Sequence, residues 1–109
     1  MKNIIILAIA ILITSLASMP LNAAEPQQYS HKPTNGYVPD EETAISIAVA
    51  VWQPIYGKEK IQNEKPYKAT LKDGVWHVSG SLPKGWIGGT AQAEINKENG
   101  CILQIWHEK

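Results

Sequence analysis

A chain of 109 residues has room for one domain, and its ten acidic and ten basic side chains cancel to a formal charge of zero. Every basic residue is a lysine. Without arginine forks or a basic excess, nucleic-acid and phosphate recognition are set aside as principal functions. The single cysteine, Cys101, cannot form an internal disulfide, so the fold rests on its core alone.

Residues 1–24 read as an export signal. Lys2 supplies a positive start, Ile4 to Ile13 is an unbroken apolar run, and Ala23-Ala24 offers small residues for cleavage after Ala24, or after Ala23 as the alternative. A spanning helix needs about 20 apolar residues, so an uncleaved anchor is the lesser reading. The expectation is a periplasmic protein with no membrane contact after cleavage. About 85 residues then remain, a size at which one core gives marginal stability.

Residues 25–36, polar and punctuated by Pro26, Pro33 and Gly36, read as a flexible leader, and residues 37–109 as a single domain. Tyr37 and Val38 are placed to tuck against its edge. Residues 40–56 are predicted helical, with Asp40 as N-cap and Glu41 and Glu42 at the positive end of the macrodipole. Ala44, Ile45, Ala48, Val51, Trp52 and Ile55 make one apolar stripe. Pro54 removes a donor and crowds the carbonyl four residues back, so the regular helix is expected to stop or kink near residues 51–53, with Gly57 closing the turn.

Residues 58–65 read as a charged loop, and Pro66 resets the chain into extended structure. A first strand follows over residues 67–72, then an Asp73-Gly74 turn and a second strand over residues 75–82. Trp76 and Val78 share one face of that strand, His77 and Ser79 the other. Gly80 inside it marks a bulge or a close backbone approach.

A glycine-rich connection, residues 82–89, leads into the last hairpin. There Ala91, Ala93 and Ile95 point one way and Thr90, Gln92, Glu94 and Asn96 the other. Residues 97–100 form its turn. On the final strand Cys101, Leu103 and Ile105 share a face, which predicts a buried thiol, and Ile102, Gln104 and Trp106 take the opposite one. Inverting that phase would put Trp106 inside and Cys101 outside. The whole reads as α+β: one N-terminal amphipathic helix on a curved four-stranded antiparallel meander.

Little here points to chemistry. His31, His77 and His107 are scattered and match no zinc spacing, although His77 and His107 meet if their strands share a phase. Cys101 lacks a helix N-terminus or basic neighbours to activate it, with His77 as its one conceivable base. Residues 85–89 lack the Lys-Ser/Thr of a phosphate loop and precede a strand. No metal, cofactor or catalytic residue is expected. Of the four tryptophans, Trp52 and Trp76 are assigned to the core, while Trp86 and Trp106 are candidates either for a binding surface or for the core.

The ordered blocks Y-V-P-D-E-E-T-A-I-S-I-A-V-A-V-W-Q-P-I-Y-G, K-P-Y-K-A, G-V-W-H-V-S-G-S-L-P-K-G and G-G-T-A-Q-A-E-I-N-K-E-N-G-C-I-L-Q-I-W-H-E-K resemble the YbbC/YhhH-like family. These are short bacterial immunity proteins with a nuclear-transport-factor-2-like (NTF2) fold, associated with Rhs and other polymorphic toxin loci. The resemblance covers residues 37–109. It implies an exported, non-enzymatic protein that neutralises a cognate protein toxin by stoichiometric binding. One helix before a small sheet is also similar to the PepSY domain, whose end is loosely echoed by residues 96–103; that alternative implies a periplasmic inhibitor or ligand-binding module. On the immunity reading the expected contacts are Trp86, Ile87 and Trp106, with Asp40, Glu41 and Glu42 as a second surface.

Overall fold

The computed structural model of the protein describes residues 30–109; the expected signal segment 1–24 and residues 25–29 lie outside the described residues. Helix α1 (Glu41–Tyr56) starts where Asp40 caps it, the carboxylate accepting both the Thr43 amide at 2.8 Å and the Thr43 hydroxyl at 2.6 Å. Those two bonds, the hydroxyl's first, hold the Asp40 carboxyl below its usual range. Ala44, Ala48 and Trp52 recur every four residues and form the buried stripe.

Pro54 neither ends nor splits α1. The carbonyl it orphans is that of Ala50, and both residues are exposed, so water can take the missing bond. Gly57, at φ 103°, closes the helix with its N–H on the Gln53 carbonyl. Ile55, assigned to the apolar stripe, is instead 57% exposed, because the stripe ends with Trp52 and Tyr56 on the packed side. The expected loop after Gly57 contains a short second helix, α2 (Lys58–Gln62), which buries Ile61.

Four strands follow: β1 (Lys68–Lys72), β2 (Val75–Ser79), β3 (Ala91–Asn96) and β4 (Ile102–His107). They pair antiparallel in the order β1-β2-β3-β4, the meander expected. Asp73 (φ 50°) and Gly74 (φ 76°) make the tight β1–β2 turn with two successive left-handed residues. Beneath α1, which packs on β1, β2 and β3, the sheet presents Ala69, Trp76, Val78, Ala91, Ala93 and Ile95. Small side chains on helix and sheet make room for two buried indoles. Trp52 donates to the Gln92 carbonyl at 3.1 Å and Trp76 to the Val38 carbonyl at 2.8 Å, so neither ring hides an unpaired N–H.

The start of β4 departs from strict alternation. Glu94 pairs with Gln104 but Ile95 with Ile102, so Leu103 is an extra residue in a β-bulge. Ile105 and Trp106 keep the expected phase, Ile105 on the core side. Cys101 does not: the bulge resets the phase ahead of it, and the thiol is exposed. Within the predicted leader, residues 31–36 are tethered to the β3–β4 turn. Lys32 pairs with Glu98 at 2.9 Å, and the Lys97 ammonium donates to the Asn35 carbonyl.

Candidate functional site

Among the described residues, the β2–β3 connection, residues 81–90, carries the two most exposed large apolar side chains. Trp86 is 70% exposed and Ile87 98%, side by side. With Leu82 and Pro83 they form one wall of a pocket of about 1070 Å³. Glu59, Lys60, Asn63 and Glu64, on and just after α2, form a second wall, and His107, Glu108 and Lys109 close the third. Apolar bulk with a rim of mixed charge is the anatomy of a protein-contact patch.

The deepest charge in this pocket is Glu64, only 5% exposed. Its Oε1 accepts the Ala91 N–H at 2.7 Å and its Oε2 faces His107 Nε2 at 3.2 Å. His107 Nδ1 donates to the Glu108 carbonyl at 2.7 Å, so each ring nitrogen has a partner. Tyr56, in the last turn of α1, packs edge-on against that imidazole at 5.3 Å. Tyr67 donates to the Ile61 carbonyl at 2.7 Å; burial, then the nearby Glu64 charge, pushes its phenol above the usual value.

The candidate residues from the sequence do not form one surface. Trp86 and Ile87 lie together on the pocket wall. Trp106 lies on the opposite face of the sheet, stacked on His77 with centroids 5.8 Å apart and planes 6° from parallel. His77 in turn bonds Gln92 Oε1 at 2.6 Å, and the Gln92 amide donates to Thr90 Oγ1 at 2.9 Å, which keeps this buried polar pair satisfied beneath the aromatic stack. Asp40, Glu41 and Glu42 sit at the far end of α1 from Tyr56, about 24 Å away at 1.5 Å per residue, and Asp40 is occupied as the cap.

His77 and His107 do not meet: the first pairs opposite Glu94 on the outer face, the second opposite Ala91 on the core side. Among the described residues no group of three His, Cys, Asp or Glu is placed to hold a metal. Sequence reasoning passed over Glu64, one acidic residue in a charged stretch. The one trace of it was Gly80, read as a bulge or a close backbone approach without naming what comes close: it is the Glu64 side chain, with which a Cβ there would collide, sitting 2.8 Å from the Glu64 Cβ.

Residues 43–109 match the family model for the NTF2 fold immunity protein. The chain belongs to that family. Membership carries a toxin-neutralising role in general terms, and it decides between the two resemblances in favour of the immunity group. Over 83 residues the chain is 40% identical to the uncharacterized protein YbbC of Escherichia coli (strain K12), covering 75% of this chain and 66% of YbbC. Over 73 residues it is 33% identical to the uncharacterized protein YhhH of the same organism, covering 66% of this chain and 58% of YhhH. The matched stretch thus spans two thirds or less of each relative's own length. No solved structure matches the chain. The helix on a four-stranded antiparallel sheet is the α+β arrangement consistent with the family's fold.

Proposed function

We propose that this member of the family is an exported, non-enzymatic immunity protein that binds a cognate protein toxin, of the Rhs or a related polymorphic type, and blocks it stoichiometrically in the periplasm. The carrying observation is the pair Trp86 and Ile87, exposed at 70% and 98% above a pocket with a charged rim. On so small a domain such a pair costs solubility unless a partner covers it. A tryptophan flanked by apolar neighbours is the residue type that anchors interfaces, and the lysine and glutamate rim supplies register more than affinity. Export is carried by the signal-like residues 1–24.

The test is capture from an envelope extract of the source cells, with wild-type protein and a Trp86→Ala variant side by side. One stoichiometric partner bearing a toxin domain, held at least about thirtyfold less tightly by the variant, is the expected result. A toxin held equally by both would move the surface away from Trp86. A resident peptidase in its place would return the PepSY-like reading.

A further inference from the structure

The loop that presents Trp86 and Ile87 has little support of its own; its internal backbone bond runs from the Trp86 N–H to the Pro83 carbonyl at 3.0 Å. Both of its ends, however, meet one residue outside it. Where the loop leaves β2, the Ser81 N–H donates to the Glu64 backbone carbonyl at 2.7 Å. Where it enters β3, the Ala91 N–H donates to the Glu64 carboxylate at 2.7 Å.

The second contact replaces a rung of the sheet. The Ala91 carbonyl still accepts from Gly80 N–H at 3.0 Å, as a ladder residue should, but the Ala91 N–H turns to the carboxylate instead of to β2. The β2–β3 ladder therefore ends on Glu64, and the hairpin opens into the loop at that point. Gly80 supplies the space, since any Cβ would strike the Glu64 side chain. His107 holds the other carboxylate oxygen and fixes its direction.

The geometry points to Glu64 as the positioning residue of the Trp86–Ile87 loop, its carbonyl and its carboxylate holding the two feet of the loop together before any partner arrives. Its value for binding rests on the reading of that loop as the toxin-contacting surface; the clamp itself does not. A preset loop avoids the cost of ordering its residues on association, so the clamp sharpens affinity without touching the partner. The bond is buried, and removing the acceptor orphans the Ala91 donor inside the fold.

The experiment is residue-resolved amide exchange on the purified protein, for wild type, Glu64→Ala, Glu64→Asp and Glu64→Gln. Glu64→Ala is expected to speed exchange at Ser81, Trp86 and Ala91 by about tenfold or more, with less than about twofold change at Ala93 inside the ladder. Glu64→Asp, whose carboxylate is one methylene short, should behave like Ala. Glu64→Gln keeps an acceptor oxygen and should recover most of the protection. A uniform rise that includes Ala93, no rise at Ala91 and Trp86, or a Gln variant as open as Asp would each overturn the clamp; if Glu64→Ala does not fold, the Asp and Gln variants decide by the same criteria. No toxin is needed for this readout, so failure to capture a partner would sink the binding reading and leave the clamp standing. Where wild type captures a toxin, Glu64→Asp should hold it about tenfold less tightly with Trp86 intact; equal retention would remove the clamp's role in binding.

Discussion

The β3–β4 turn, residues 97–101, and the β2–β3 loop, residues 81–90, leave opposite ends of the same strand and are stabilised in opposite ways. The turn is largely self-sufficient. Asn96 Oδ1 accepts the Glu98 and Asn99 amides at 2.8 and 3.0 Å, Asn99 Oδ1 accepts the Cys101 amide at 2.8 Å, and Gly100, at φ 76°, closes back on the Asn96 carbonyl. Tyr37 and Val38 add backbone bonds to Glu98 and Lys97, each 3.0 Å. The loop is anchored at its ends by groups from outside it: Glu64 meets both feet, the Ser81 hydroxyl donates to the Pro66 carbonyl, and the Glu108 N–H donates to the Thr90 carbonyl. A turn built from its own short-range bonds is stiff, whereas a loop fastened at its feet can carry an exposed tryptophan.

The core common to both ends sets the largest effect. Trp52→Ala removes a fully buried indole and its bond to the Gln92 carbonyl. The expected loss is about 3–5 kcal/mol, a large share of the roughly 5–15 kcal/mol that a domain of this size holds. Urea unfolding followed by circular dichroism should show turn end and loop end failing together. If protection survives in the turn while the loop end melts, the two ends do not share one cooperative core.

A smaller change should separate them. Gly36, at φ 83°, lies against the turn, and a Cβ there would sit 2.6 Å from the Lys97 carbonyl oxygen. Gly36→Ala combines left-handed strain with that collision, for an expected cost of about 1–3 kcal/mol. Asn96→Ala, which removes the acceptor for two turn amides, should cost about 1 kcal/mol. In both variants trypsin should cut after the exposed Lys84 in the loop at close to the wild-type rate. Faster cutting at Lys84 would mean that the turn supports the loop through the length of β3, and the contrast drawn here would fail.

The same contrast explains what could be read from the sequence. The Asp73-Gly74 and residues 97–100 turns, the Asp40 cap and the inward faces of Trp52, Trp76, Ala91 and Ala93 all follow from neighbours within a few positions, and each was legible. Pro54 did not end the helix where expected: it sits in the last turn, two residues before Tyr56, and the carbonyl it orphans is at an exposed position where water can take the bond. Cys101 misled because one bulged residue, Leu103, breaks a period-two argument at a distance of two positions. Glu64 was not legible: its partners Ala91 and His107 lie 27 and 43 positions away, and nothing local distinguishes it from Glu59. The exposure of Trp86 was legible only as an alternative, since a glycine-rich stretch says that a loop is there and not which way it faces.

The smallest expected effect is a pH dependence lodged at the turn end. Thr43 holds the Asp40 carboxyl below its usual range, and Lys32 does the same for Glu98, first by its hydrogen bond and then by its charge. A lowered folded pKa means that each carboxylate contributes stability above its unfolded value and loses it as the pH falls through the folded one. Both groups are on the surface, so the contribution is slight. The urea midpoint of wild type should therefore fall modestly between neutral pH and about pH 3, and an Asp40→Asn/Glu98→Gln variant should fall less. Salt at about 1 M shortens the screening length to roughly 3 Å; it should shrink the part of the Glu98 share that comes from the Lys32 charge and leave the Asp40 share nearly unchanged, because no opposite charge contributes to the cap. An acid response unchanged in the double variant would place the sensitivity elsewhere in the molecule.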